Sequence, residues 1–233
     1  CGGYMLRPGR IAIDGPAGSG KSTVGEQLAR KLGYLYFDTG AMYRAVAWLA
    51  LQRGVDLRDG VALGELAQHA NIVIDHPHIE DGRQYTVKVG ERDVTWEIRS
   101  AAVTGVVSQV SNHSEVRSVL RAQQRALAYL QEGIVMVGRD IGAIVLPDAE
   151  LKIYLTASLE ERARRRYTEL QERRGTGDAA LPSLAEIMKD IERRDEADKE
   201  NMRPAHDAIV VLTDNLSVPQ VLEVIYAYLE ETP

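Results

Sequence analysis

Cysteine is all but missing: Cys1 is the only one in 233 residues. That excludes an internal disulfide and a cysteine-built metal cluster, and it agrees with a reducing cytoplasm, the compartment expected for this chain. A surplus of positive charge is missing as well. Lys and Arg number 28 against 34 Asp and Glu, a formal net charge of -6, which argues against a general nucleic-acid or membrane binder, since such proteins need basic surface to meet phosphates. A small anion held by a few local arginines stays open. No apolar run approaches the length of a membrane span, and no signal-peptide stretch opens the chain. Met5 reads as the natural start, and Cys1 to Tyr4 are left outside the fold. What is present is ordinary for a folded chain: 45% hydrophobic and 27% charged residues, long enough to bury a core as one domain with an insertion or two. A monomer is expected.

The stretch with most information is Gly15-Pro16-Ala17-Gly18-Ser19-Gly20-Lys21-Ser22, followed by Thr23. It reads G-x-x-x-x-G-K-S, follows the apolar run Arg10 to Asp14 and precedes a helical pattern, the context that separates a phosphate-binding loop from a chance match. Glycines let the backbone N–H groups turn inward around phosphates. Lys21 adds a mobile positive charge, and the Ser22 hydroxyl is placed to hold Mg²⁺. A Gly-rich turn between strand and helix is the bland alternative, but every fixed position is filled.

The rest alternates strands with helices. Val24, Leu28 and Leu32 predict a helix over 21–32 stopped by Gly33; Tyr34 to Phe37 reads as a strand; Met42, Val46, Leu49 and Ala50 predict a helix with one apolar face, ended by Gly54. Arg44, in its first turn, suits a second phosphate or a solvated surface. After a helix over 61–70, Asn71 to Asp75 and Tyr85 to Val89 form a small β insertion, with His69, His76 and His78 read as solvent-facing and not as a metal site. Two helices follow from Ser100, meeting at the polar break Ser111 to Ser114, which brings Ser108 and Arg117 near one another; Gly133 is read as closing the second. Ile134 to Val137 is a buried strand ending in Gly138-Arg139-Asp140, and charged residues just after a buried strand lie where open α/β sheets bind ligands.

A further strand over 151–155 leads to Ser158-Leu159-Glu160-Glu161, read as a capping box, and a helix carrying Arg162, Arg165 and Arg166 on one face, a ligand surface or a solvated one. A hinge at Gly175 to Asp178 and a second box, Ser183 to Glu186, make a helical hairpin with Arg194 and Asp198 on one face with Ile187 and Ile191. Ala208 to Leu212 reads as a last buried strand before a terminal helix capped by Ser217. The fold expected is a P-loop three-layer α/β/α with a five-stranded parallel sheet, a small β insertion and a helical arm.

Phosphate-loop proteins divide by what accompanies the loop. An Asn-Lys-x-Asp guanine reader is missing, and the strand before residue 139 ends in Gly-Arg-Asp where a motor-type ATPase usually ends in Asp-Glu. Arginines at strand ends and on a hinged arm instead suit phosphoryl transfer between two anions, with closure against water. The acceptor is expected to be a phosphate itself.

Taken together, GPAGSGKS, FDTGAMYRA, the Ser108-Gln109-Val110 and Val116-Arg117 pair, VGRDIG, PDAELKIYLTAS and RRDEAD span most of the chain, and in this order they resemble the bacterial cytidylate kinases of the nucleoside monophosphate kinase family. The resemblance implies MgATP with CMP or dCMP giving ADP with CDP or dCDP. It implies a core of 5–61, 100–162 and 195–233, a CMP-binding insertion at 62–99 and a lid at 163–194. It also implies that Arg44, Arg139 and Arg194 hold the CMP phosphate, with Thr39 among the substrate residues; that Ser108, Arg117 and Asp140 read cytosine; and that Asp198 accepts from a ribose hydroxyl. Lys21, Arg165 and Arg194 then carry catalysis, with Arg165 and Arg162 over the moving phosphoryl group. An ionised Asp140 only accepts hydrogen bonds, which suits the cytosine amino group and leaves the O4 of uracil unpaired. One departure stands out: where relatives show another phosphate-binding arginine this chain has Asn201, and Arg203 is the residue that could replace it. A kinase for UMP, AMP or shikimate, or a nucleotide-dependent switch that signals by lid position, are the other readings.

Overall fold

The computed structural model describes residues 8–173, 181–199 and 202–231; the hinge Gly175 to Asp178 and Asn201 lie outside them. The five-stranded parallel sheet flanked by helices is as expected. In chain order its strands are β1 (Arg10–Asp14), β2 (Leu35–Asp38), β6 (Ile134–Gly138), β7 (Leu151–Thr156) and β8 (Ile209–Leu212), and across the sheet they run β2-β6-β1-β7-β8. The first strand is thus central. Its Ile11, Ala12 and Ile13 are fully buried, which explains a run without polar alternation.

By contact the chain forms two units, residues 1–28 with 137–233 and residues 29–136. In the first, β1 pairs in parallel with β7 from Ile11↔Leu151 to Asp14↔Tyr154, and β7 with β8 from Ile153↔Ile209 to Thr156↔Leu212. β8 corrects the sequence reading. It is the edge strand and only half buried, with Val210 59% and Leu212 61% exposed; a four-residue apolar run looks the same whether one face or both are covered. α1 (Lys21–Leu32) starts at the phosphate loop, and α8 (Val218–Glu231) is opened by Ser217, whose amide and hydroxyl both donate to Gln220. α6 (Leu159–Arg173) and α7 (Leu184–Asp198) pack as a hairpin around a core of their own, Ala163, Ile187 and Ile191 with Leu159, Tyr167, Leu170 and Met188. Burial of each isoleucine there stabilises the arm by roughly 1.5–3 kcal/mol. The Ser183 capping box is complete, while the one at Ser158 is half made: Glu161 donates its amide to the Ser158 hydroxyl, but its carboxylate turns to Arg164 and Arg165 and the Ser158 amide goes to Asp214.

In the second unit, α2 (Gly40–Arg53) is expected to bury one face and buries more than that: Ala41, Met42 and every residue from Ala45 to Ala50, a run longer than one turn. α3 (Gly60–His69) and α4 (Ala101–Ser111) both contact it, and a helix covered on several sides loses its amphipathic stripe. α5 (Ser114–Leu130) packs on α3. Its end corrects the role given to Gly133. The helix stops at Leu130, and a side chain on Gly133 would meet the Tyr34 ring at 2.3 Å, so that glycine makes room for an aromatic ring. The insertion holds three antiparallel strands where two were expected: β3 (Ile72–Asp75), β4 (Thr86–Val89) and β5 (Arg92–Asp93). Two residues are too few for alternation to register. Arg83 ties this sheet together through Asp81 and Asp93. His78 pairs with Asp75 and His69 bonds the Glu65 carbonyl. Among the described residues no group of three His, Cys, Asp or Glu is placed to hold a metal, and no helix is long and apolar enough to cross a membrane.

Candidate active site

The phosphate loop joins the carboxyl end of β1 to α1, and its shape depends on glycine at two positions. Gly15 has φ 146°, and a Cβ there would lie 2.0 Å from the Leu155 carbonyl oxygen. Gly18 has φ 77° and sits against the backbone and Cβ of Arg162 at 3.1–3.4 Å. Gly15 is barred to other residues, and at Gly18 a side chain would be strained. Lys21 donates from Nζ to the Pro16 carbonyl at 2.7 Å, so its charge already lies over the loop. The donor chemistry fits Mg²⁺: the Ser22 hydroxyl is a hard oxygen on an exposed residue in the first turn of α1, and this ion takes one or two protein oxygens together with substrate phosphates and water.

Two arginines of α6, Arg162 and Arg165, reach this loop. Arg162, which is buried, donates to Asp195 at 2.6 Å and to the Ala17 carbonyl at 3.3 Å. Arg165 donates to the Thr213 carbonyl at 2.6 Å, to the Thr213 hydroxyl at 3.0 Å and to Glu161 at 2.8 Å, and its Nη1 lies 3.7 Å from where a Gly20 side chain would begin. Thr213 in turn reaches the Ser19 carbonyl at 3.3 Å. Arg166 parts from them and pairs with Glu169. Hydrogen bonds from Arg164 and then Arg165 hold the Glu161 carboxyl below its ordinary range.

At the end of β6, Arg139 lies 3.3 Å from Asp198 and also contacts the Met202 sulfur. Tyr154 donates to the Met202 carbonyl at 3.0 Å. Arg194 shares one face of α7 with Asp198, four residues on, and pairs with Asp190 of the same helix at 2.8 Å. Arg203 is exposed, and Asn201 lies outside the described residues. Asp140 is buried and begins a single wide turn, with both the Ile144 and Val145 amides on its carbonyl. No periodicity announces such a π-turn, which recurs at functional sites.

Asp14 carries the same signal as Asp140, a charged residue at the end of a buried strand. It is 3% exposed, and its carboxylate accepts from the Ile141 and Gly142 amides at 2.7 Å each. Burial pushes its carboxyl up to about 6, the two amide hydrogen bonds act against this, and the charges of Asp140 and Lys21 pull in opposite directions.

In the second unit Thr39 is buried and precedes α2. Arg44 is held by the Thr104 hydroxyl at 3.0 Å and the Ile98 carbonyl at 3.3 Å, so it is fixed and not a freely solvated helix arginine. Arg117 donates to the Ser111 carbonyl at 3.3 Å with its guanidinium 6.0 Å from the Tyr43 ring centre. Ser111 donates to the Ser108 carbonyl, which links Ser108 and Arg117 through one residue at the polar break. Arg99 bonds the Tyr85 hydroxyl at 3.0 Å, and burial raises that phenol above its ordinary range.

The family model described as cytidylate kinase matches residues 11–231. The chain is similar to a cytidylate kinase of Roseiflexus castenholzii, 50% identical over 96% of this chain and 94% of that one. It is also similar to that of Herpetosiphon aurantiacus, 50% identical over 95% and 94%, and to that of Exiguobacterium sibiricum, 48% identical over 91% and 93%.

Proposed function

Because the chain belongs to the cytidylate kinase family, we propose that it moves the γ-phosphoryl group of ATP to CMP and dCMP, releasing ADP with CDP or dCDP. The observation that carries this is the fully formed phosphate loop, Gly15 to Ser22 between β1 and α1, in a chain that matches the family over residues 11–231.

In this reading the loop amides and Lys21 bind the β- and γ-phosphates of ATP. Ser22 would hold Mg²⁺ together with the nucleotide, and the ion would supply positive charge against the phosphates. Arg44, Arg139 and Arg194 hold the acceptor's phosphate, and Thr39 is among the substrate residues; Arg203 is a further candidate for the phosphate. Ser108 and Arg117 meet the base, and Asp140 accepts from its amino group, which penalises uracil because its O4 would face a carboxylate unpaired. Asp198 accepts from a ribose hydroxyl. Arg165 bears on the transferring group, where positive charge stabilises the oxygens of a loose, metaphosphate-like state. Arg162 supports that geometry through Ala17 and Asp195. Residues 62–99 serve as the acceptor domain and 163–194 as a lid that excludes water, in a cytoplasmic monomer.

The test is ADP formation from MgATP with CMP, dCMP, UMP and AMP offered separately beside a blank without acceptor. Turnover with CMP and dCMP well above UMP, AMP and blank is expected. Equal ADP in every tube would contradict it.

A further inference from the structure

We propose that Asp14 is a positioning residue for acceptor selection: by holding the Ile141 and Gly142 amides from beneath, it sets the direction in which the Asp140 carboxylate leaves β6. The inference rests on Asp140 reading the base, as proposed above.

The geometry has three parts. First, Asp14 touches the segment just after Asp140, with both carboxylate oxygens engaged at 2.7 Å. Charge-assisted bonds of this kind are about twice as strong as neutral ones. Second, Asp140 is clamped on its other side, since its carbonyl takes the Ile144 amide at 2.9 Å and the Val145 amide at 3.1 Å. Its backbone sits at φ −142°, ψ 26°, outside the regular helical well. Third, the clamp is tight. A side chain on Gly142 would meet Lys152 Cγ at 3.2 Å, Cδ at 3.3 Å and Asp14 Oδ2 at 3.4 Å. Lys152 is itself fixed by Asp207 at 2.7 Å and the Pro147 carbonyl. A side chain at Gly142 would thus press on Lys152 and abut Asp14.

An uncharged side chain in place of Asp14 keeps at most one good acceptor for two amides. The wide turn then relaxes, and Asp140 loses its aim while the phosphate loop keeps its glycines and Lys21. Protonation should act in the same way. The groups bearing on the Asp14 carboxyl are Asp140, which raises it, Lys21, which lowers it, and the Tyr154 phenol across the β1–β7 pairing, with the Lys152 methylenes against Gly142.

The experiment is steady-state kinetics of the wild type, Asp14→Asn and Gly142→Ala, with CMP and UMP as acceptors and KM for ATP measured separately, between pH 5 and 8. Both variants should raise KM for CMP about tenfold, the cost of one lost charge-assisted hydrogen bond, move KM for ATP less than about twofold and narrow the CMP-to-UMP ratio. The ratio of wild-type to Asp14→Asn efficiency should fall as pH drops through about 6; the ionisation of CMP itself cancels in that ratio. Gly142→Ala crowds the same clamp without removing charge, so it answers if Asp14→Asn folds poorly. A wild type that prefers CMP, with variants that keep this preference and lose only ATP affinity or melting temperature, would overturn the role of Asp14 and leave the function standing. A wild type without CMP preference would overturn both.

Discussion

The guanidinium of Arg139 and the carboxylate of Asp198 lie 3.3 Å apart, so a residue assigned to the acceptor's phosphate and one assigned to its ribose orient each other. Both side chains are about a quarter exposed, 27% and 26%, and a partly exposed pair of this kind adds only about 0–1 kcal/mol to stability. Asp198→Ala is therefore expected to move the melting temperature by less than about 4 °C. KM for CMP should rise about tenfold, from the lost ribose contact and the freed Arg139. Calorimetry beside kinetics separates the two; a large fall in melting temperature with unchanged KM would make the pair structural.

Lys21 is expected to matter to the chemical step with every acceptor. Its ammonium is already over the loop, 2.7 Å from the Pro16 carbonyl, and Lys21→Ala removes charge where the phosphoryl group moves. A fall in kcat of about 100-fold or more is expected with CMP and dCMP alike. Unchanged turnover would place the phosphates elsewhere.

The two faces of α7 should separate stability from activity. Asp195 meets buried Arg162 at 2.6 Å, whereas Arg194 pairs with Asp190 where both side chains are more than 40% exposed. Asp195→Ala leaves a buried guanidinium short of its partner and should cost about 1.5–3 kcal/mol in urea unfolding. Arg194→Ala should cost under about 0.5 kcal/mol and reduce CMP turnover instead. The reverse pattern would exchange the two roles.

Asp140→Asn should erode the choice between CMP and UMP, because an amide can donate to the O4 of uracil as well as accept. The expected change is about tenfold in the ratio of kcat/KM values, within the range that one base-reading hydrogen bond supplies. An unaltered ratio would put base recognition on another residue.

Stability should carry the mark of Asp14. Its carboxyl is raised from 3.8 to about 6 in the fold, so between these values the native state binds more protons than the unfolded one and stability falls as pH rises. Above about pH 6 the ionised group weighs fully against folding, by at most about 3 kcal/mol at roughly 1.4 kcal/mol per pH unit of displacement. Asp14→Asn, which does not titrate, should lose this dependence: relative to the wild type it should gain stability between pH 4 and pH 7. Urea unfolding at both pH values checks the sign.

Much of this architecture could be read from residue order because its signals are local. The phosphate loop, the helix stop at Gly54 and the box at Ser183 each lie within a few residues of the structure they specify. Contacts between distant segments were not legible. Asp14 meets Ile141 across 127 positions, and Arg162 finds Asp195 across 33; neither leaves a period in the sequence. Gly133 shows the opposite hazard. It stands where a helix stop would, yet the Tyr34 ring is what requires it. In the same way, the apolar run of β8 has the composition of a central strand, and only its place at the sheet edge exposes Val210 and Leu212.

The most direct test of the phosphoryl-transfer account is to follow the label from γ-³²P-ATP during turnover with CMP. The account predicts that the label appears in the β-phosphate of CDP, one equivalent for each ADP formed, with little free phosphate. Label accumulating as inorganic phosphate while CMP stays unchanged would contradict it, and would make the chain a nucleotide hydrolase that does not use this acceptor.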